Sequence, residues 1–203
     1  MIRVTPKSWL ARFRSEERGS VTVEAMITLP LLIWAIGATY EFFEVHRYNS
    51  ARDKASYTIA DMISREQDDI TPIYLDNAKT VFDTIANDMG ANSLRISVIK
   101  YNTDDKTYFI KWSQVRGTDA LKQLKTEDVE NAHAVLPKLR RGEELIVVES
   151  QSIYPPVFKV GMGDNLKVRT YVTTSPRFAA QINYEPTPYD GSDTNTEGST
   201  GEG

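Results

Sequence analysis

The sequence predicts an α+β protein in which a long N-terminal helix, apolar in its first half, precedes a small antiparallel sheet packed with helices. Two observations support this prediction. The segment VTVEAMITLPLLIWAIGATY, from Val21 to Tyr40, contains a single charged residue, Glu24. Farther along the chain, four runs with strand-like alternation come in two consecutive pairs, an order that favours an antiparallel sheet over a parallel one.

The composition limits the classes of function. The chain has 203 residues, enough for one ordinary domain, and no cysteine, so disulfides, thiolate metal sites and cysteine nucleophiles are excluded. The first 19 residues contain five basic and two acidic residues, whereas the remaining 184 contain 19 basic and 26 acidic ones. Because an acidic body lacks the positive surface that nucleic acid requires, we expect no nucleic-acid partner.

The apolar segment has the length of a membrane span, since hydrocarbon roughly 30 Å thick needs about 20 helical residues. The uncharged run from Ala25 to Tyr40 has only 16 residues, so a spanning helix includes Glu24 or brings it to the membrane edge. Beyond Tyr40, apolar residues recur at three- to five-residue steps with no Pro or Gly before Pro72. This pattern predicts one helix from about Ser20 to about Arg65.

The later elements follow from capping signals and periodicity. Thr71 and Pro72 predict a helix start, and Gly90 predicts the end of that helix. Thr118 and Asp119 predict the start of another helix that runs to Leu136, with a restart at Thr126 as an alternative. The predicted strands cover residues 94–101, 107–115, 145–153 and 166–174, and a turn at 102–106 joins the first two. We expect the helices to lie on one face of this sheet.

The predicted domain organisation has four parts. A basic leader covers residues 1–19, a transmembrane helix covers 20–45 and an extracytoplasmic α+β domain covers 46–183. Residues 184–203, YEPTPYDGSDTNTEGSTGEG, contain five acidic residues, no basic residue and no apolar period. Such a composition is typical of a disordered tail.

A short motif precedes the apolar segment. In Arg18-Gly19-Ser20-Val21-Thr22-Val23-Glu24, a cut after Gly19 would make Ser20 the amino terminus and Glu24 the fifth residue. This pattern resembles the processing site of type IV prepilins, which have a short basic leader that ends in Gly, then an apolar helix with Glu at position five. The resemblance implies that a prepilin peptidase cleaves between Gly19 and Ser20.

Within that superfamily, the stretch ERGSVTVEAMITLPLLIWAIGATYEF looks most like the TadE-like minor pilins, or pseudopilins, of the Tad (Flp) pilus system. Gly19, Glu24 and Pro30 fall where that family has G, E and P, although Ala25 stands where family members usually carry an aromatic residue. The later stretches GEELIVVESQSIYPPVF and SPRFAAQI are similar to the family's late strand and ending. The resemblance implies a pilin-like fold and assembly roles for Glu24 and Pro30.

The same resemblance implies a function without catalysis. The protein would be a minor pilin or pseudopilin that takes part in assembling a Tad/Flp pilus, with the peptidase, other pilins and platform proteins as partners. Because basic residues precede the span and none follows it before Arg47, we expect a single-pass protein with a cytoplasmic N terminus and its domain outside. The resemblance implies that the membrane is the inner membrane and that the domain is periplasmic. Whether it enters the surface pilus stays open.

Alternative interpretations of the N-terminal segment are an uncleaved anchor and a secretory signal cut near Ala35-Ile36-Gly37. The runner-up function is accordingly a single-span envelope protein whose outer domain binds a ligand or partner. The sequence offers no sign of an enzyme: His46 and His133 are isolated, and nucleotide-binding and zinc motifs are absent. We therefore predict no catalytic residue, cofactor or metal.

Overall fold

The structure is a computed structural model that describes residues 18–87, 92–130, 132, 134–158 and 166–186. Its elements are α1 (Arg18–Ser64), α2 (Pro72–Ala86), β1 (Asn92–Asn102), β2 (Thr107–Gly117), α3 (Thr126–Val129), β3 (Glu144–Ile153) and β4 (Lys167–Thr174). The chain divides into two compact units, one made of Met1–His46 with Pro155–Asp164 and the other of Arg47–Tyr154 with Asn165–Gly203. The α+β mixture expected from the sequence is confirmed.

Helix α1 contains 47 residues and changes character along its length. Its apolar window is long enough to cross a membrane and has no residue buried in the protein. From Ala55 onward one face is fully buried, with Ile59 and Ile63 at four-residue steps, as expected for an amphipathic helix that covers a core. The predicted helix from Ser20 to Arg65 is confirmed to within two residues.

Helix α2 has defined caps at both ends. The Thr71 hydroxyl accepts a hydrogen bond from the Tyr74 backbone N–H at 3.2 Å, and Pro72 occupies the first turn. The helix ends at Ala86 because Asn87 adopts the left-handed conformation, with φ of 51°, which Asn tolerates better than most residues. The predicted terminator, Gly90, lies outside the described residues.

The four strands form one antiparallel sheet in the order β2-β1-β3-β4. The hairpin between β1 and β2 matches the predicted one. Its turn is held by the Asn102 side chain, which accepts from the Asp104 backbone N–H at 3.0 Å and donates to the Asp105 carboxylate at 2.6 Å. These acidic residues therefore form the turn, as such residues commonly do.

Each face of the sheet has its own apolar core. On one face, α1 and α2 pack on Leu94, Ile96, Ile146 and other residues of β1 and β3. The other face, with Ile99 and Val147, is covered by the segment between β2 and β3. The sheet is thus buried on both faces, whereas the sequence predicted helices on one face only.

The helix predicted from Thr118 to Leu136 is wrong, apart from the alternative start at Thr126. There the chain forms α3, a single turn of four residues. Gly117 has a φ of 98° and lies so close to β1 that a Cβ would sit 2.1 Å from the Asn92 carbonyl oxygen. The Thr118 N–H donates to that same oxygen at 3.0 Å. This turn directs the chain back across the sheet. The Leu121 N–H, from which a Thr118 cap would accept, donates instead to the Ser93 hydroxyl at 3.3 Å.

The C-terminal segment remains attached to the domain beyond residue 183, the end predicted from the sequence. The Trp112 indole N–H donates to the Ile182 carbonyl at 2.9 Å, and the Tyr184 ring lies 5.6 Å from the Trp112 ring. Tyr184 also bridges to Ile70, whose carbonyl accepts from the Glu185 N–H at 2.9 Å. Residues 187–203, most of the predicted tail, lie outside the described residues.

A pair of truncations in the domain that begins at residue 46 tests this boundary. Ending the chain after Pro186 should change the free energy of unfolding by less than about 0.5 kcal/mol. Ending it after Asn183 should cost about 2 kcal/mol, because the truncation removes one backbone hydrogen bond and one aromatic pair. Chemical denaturation measures both values. Equal stability of the two truncated chains would show that Tyr184 and Glu185 add nothing.

The stability of the domain should fall at alkaline pH through Tyr74. Burial, the Glu66 negative charge and a hydrogen bond to Glu66 raise the pKa of Tyr74 from 10.0 to about 12. Between these values the unfolded chain loses the phenol proton while the folded chain keeps it, so stability decreases as pH rises. Tyr74→Phe should make this decrease shallower, measured by denaturation across that pH range. Tyr57→Phe, at a 65% exposed tyrosine, is the control.

Candidate functional site

The four residues predicted to act in processing and assembly all lie near the start of α1. Gly19 and Ser20 are in its first turn, and Glu24 follows one turn after Ser20. The helix therefore already includes the peptide bond that the motif marks for cleavage. Helix ends fray, so the first turn is the part of α1 that can unwind most easily into a protease site.

Glu24 is exposed on an otherwise apolar stretch. Its backbone carbonyl accepts a second hydrogen bond, from the Thr28 hydroxyl at 2.8 Å. Glu24 and Thr28 share one helix face because they are spaced four residues apart. Glu24 and Thr28 thus form a short polar patch on α1, and Glu24 is the only charged residue between Val21 and Tyr40.

Pro30 lies inside α1, which continues through it without interruption. Proline has no backbone N–H, so the Met26 carbonyl lacks its usual partner four residues ahead. In hydrocarbon such a carbonyl must find another donor or remain unsatisfied at a cost of several kcal/mol. Pro30 therefore leaves one backbone acceptor, the Met26 carbonyl, without its helical donor two residues after Glu24, within the apolar stretch.

Comparisons with known proteins identify no relative of this chain. No family model, curated protein or solved structure matches the chain.

A second carboxylate on α1, Glu41, is a feature that the sequence analysis missed. It directly follows the apolar run and is fully buried. Its Oε2 accepts a hydrogen bond from the Phe158 backbone N–H at 3.1 Å, while Oε1 has no partner among the described residues. The Phe158 ring also meets the Tyr40 ring edge-on, with centroids 5.8 Å apart. In the sequence, the available signal for Glu41 was its position directly after an apolar run. Only the fold shows which segment covers this carboxylate.

Arg52 is a further buried charge on α1 that sequence reasoning missed. Its Nε donates to the Ser152 hydroxyl at 2.6 Å, and its guanidinium lies 3.2 Å from the centroid of the Tyr48 ring. Tyr48 itself donates to the Ile153 carbonyl at 3.3 Å. These contacts attach α1 to the end of β3, where a buried arginine needs both hydrogen bonds and an aromatic face.

The remaining charged clusters of the described residues are ion pairs. The buried Glu144 carboxylate contacts Lys100 at 2.9 Å and Lys111 at 2.6 Å, and it accepts from the Ile182 N–H at 2.7 Å. On the opposite face, Arg95 and Glu149 pair at 2.5 Å. No group of three potential metal ligands occurs in the part of the chain that the structure describes. In each pair the partner compensates a charge that the fold removes from water, so the loss of one partner would leave the other charge unpaired.

Of the two histidines, the structure describes one. The exposed His46 packs its ring against Phe42, with centroids 4.6 Å apart. His133 lies outside the described residues. The site that remains for functional interpretation is the start of α1, with its motif and its exposed apolar surface.

Proposed function

We propose that the protein is a TadE-like minor pilin or pseudopilin that inserts in the inner membrane and takes part in assembling a Tad/Flp pilus. The observation that carries the proposal is the relation of Gly19, Ser20 and Glu24 at the first turns of a continuous 47-residue helix. A pilin needs such a helix, because its first half must hold the subunit in the membrane and its second half must belong to a folded domain.

The exposed apolar surface of α1 supports membrane insertion. Among the described residues, α1 is the one helix long and apolar enough to cross a bilayer. Exposed side chains such as Leu31 and Ile33, at 68% and 65%, would be costly in water. Lipid removes that cost before assembly, and neighbouring helices remove it afterwards.

Glu24 provides a driving force for association of this helix with a neighbouring subunit. An acidic residue at the centre of a membrane helix costs about 2.5 to 3.5 kcal/mol on insertion scales, and less near the interface. Cleavage after Gly19 would create an ammonium group on Ser20, about 6 Å along the axis from Glu24. A neighbouring subunit displaced by about one helical turn would place its ammonium level with this carboxylate. Assembly then neutralises a charge that is isolated in the single subunit.

The proposal assigns the partners and the topology. A prepilin peptidase would cleave the leader on the cytoplasmic side, where Arg12, Arg14 and Arg18 retain the N terminus. The α+β domain would face the periplasm. Other Tad/Flp pilins and the assembly platform would contact the mature helix, and the protein itself would catalyse no reaction.

The mature chain should begin at Ser20. N-terminal sequencing or the intact mass of protein purified from cells with an active prepilin peptidase measures this directly. Gly19→Ala should still be processed better than Gly19→Leu, because the peptidase must accommodate the residue before the cut. An intact leader would favour the uncleaved anchor with an outer binding domain, and a terminus near Ala38 would favour a secretory signal.

Glu24→Ala should abolish assembly while leaving membrane insertion intact or improved, because a costly acid is removed. Surface piliation and co-purification with the major pilin measure assembly, and immunoblots measure protein level and leader processing. Glu24→Gln keeps the shape and one acceptor oxygen, so a defect there would identify the ion pair as the essential interaction.

Thr28→Ala is the matched control for Glu24. It lies on the same helix face and loses only a hydrogen bond to the Glu24 backbone, so piliation should persist. Normal piliation by a processed Glu24→Ala protein at normal level would contradict the pairing role. A defect in Thr28→Ala equal to that of Glu24→Ala would show that the helix face, rather than the charge, matters.

A further inference from the structure

Exposed apolar side chains form a cluster where the apolar part of α1 ends. On the helix, Tyr40, Phe42 and Phe43 are 49%, 55% and 66% exposed. In the segment that follows β3, Phe158 is 49% exposed and its ring contacts Tyr40, and Val157, directly before it in the chain, is 62% exposed. We call these five residues the aromatic collar.

A hydrogen bond joins the helical part of the aromatic collar to the segment after β3. The Phe158 N–H donates to the buried Glu41 carboxylate, and the Phe158 ring meets the Tyr40 ring edge-on. Glu41 lies under this segment with no exposed surface. The buried Glu41 carboxylate thus binds the backbone of this segment, while the apolar side chains beside it stay exposed. In ordinary core packing the apolar side chains are buried and the carboxylates are exposed.

The position of the collar along α1 identifies what would cover it. Tyr40 follows Val21 by 19 residues, which at 1.5 Å per residue is about 30 Å and equals the hydrocarbon thickness of a bilayer. A span that starts at Val21 therefore ends at the collar. Tyrosine is enriched at that depth, where its ring lies among lipid chains and its hydroxyl reaches water. Phenylalanine is common on the apolar face of helices that lie in the same layer.

We propose that Val157 and Phe158, held by Glu41, form a second membrane contact that lies in the interfacial layer of the bilayer beside the end of the span. The aromatic collar would then contact the bilayer at the boundary between lipid headgroups and acyl chains. The inference rests on the membrane insertion described under the proposed function, but it requires neither leader cleavage nor a pilus. It makes the bilayer a partner of the segment after β3 as well as of the helix.

Site-specific labelling can test this contact, because the chain contains no cysteine. Val157→Cys in the full chain would carry an environment-sensitive fluorophore after reconstitution into phosphatidylcholine and phosphatidylglycerol vesicles. Nitroxide-labelled lipids, with the quencher either near the headgroup or deep in the acyl chain, report the depth of the probe. Val135→Cys is the matched control, since Val135 and Val157 are 66% and 62% exposed. Leu31→Cys reports insertion of the span itself.

The expected result is a different quenching pattern at each position. The probe at residue 157 should be quenched by the shallow nitroxide, the probe at residue 31 by the deep one, and the probe at residue 135 by neither. If residue 157 behaves like residue 135 while residue 31 is quenched, the second contact is rejected and the span stands. If residue 31 is not quenched, the proposed membrane insertion fails as well.

A neighbouring copy of the chain is the competing occupant of the collar. Shallow quenching at residue 157 should persist when the lipid-to-protein ratio is raised, because lipid contact does not depend on other copies. Shallow quenching in the dispersed protein that is lost only at high protein density would support lipid contact, because it shows that a second copy displaces lipid from residue 157. An absence of shallow quenching at every ratio would overturn the proposal.

The positioning role of Glu41 has its own test. In the Val157→Cys background, Glu41→Ala should reduce shallow quenching about threefold, because the segment loses the acceptor that holds it. Glu41→Gln keeps an acceptor oxygen and should retain most of the quenching. Thr39→Ala, which loses only a bond to the Ala35 carbonyl, should have no effect. Unchanged quenching in Glu41→Ala would contradict the positioning role.

Discussion

The burial of one face of α1 against the sheet is the interaction on which the domain depends. Ile59 and Ile63 are fully buried there, and each such side chain contributes about 1.5 to 3 kcal/mol through removal from water. The strands they cover are too apolar to face solvent. The same helix carries the apolar stretch up to Tyr40, so the segment that we assign to the membrane and the core of the domain belong to one uninterrupted backbone.

Directional contacts complement this apolar packing. Ser56 and Thr170 share a hydrogen bond of 2.6 Å, and Thr170 also bonds to Ser150 at 2.8 Å, which links α1, β4 and β3. Arg52 adds its bond to Ser152. A shift of α1 by one residue would leave these buried groups unpaired, at about 1 to 3 kcal/mol each. Apolar burial therefore provides the attraction, and the hydroxyl groups and Arg52 select one register.

Much of this fold follows from local sequence signals, as α1, α2, the hairpin, β3 and β4 illustrate. The segment after β2 does not, although its leucines have helical spacing. There the Leu121 and Leu124 backbone N–H groups donate to Ser93 and Ser113 of the sheet, so the strands take the donors that a helix would need. For the candidate site, the motif could be read from sequence, whereas the Glu41 contact with Phe158 joins residues 117 positions apart. Periodicity carries no information about such distant pairs.

The edge strand β4 carries charge along its exposed side. Lys167 and Arg169 occupy alternate exposed positions of this strand. An edge offers unpaired backbone groups to any other edge, and like charges oppose that approach. Proteins confined to a two-dimensional layer collide with their own copies far more often than proteins in free solution. In the membrane-inserted state that we propose, electrostatic repulsion along β4 would let copies gather at high density without pairing their sheets, and it would leave association to the proposed helix contacts.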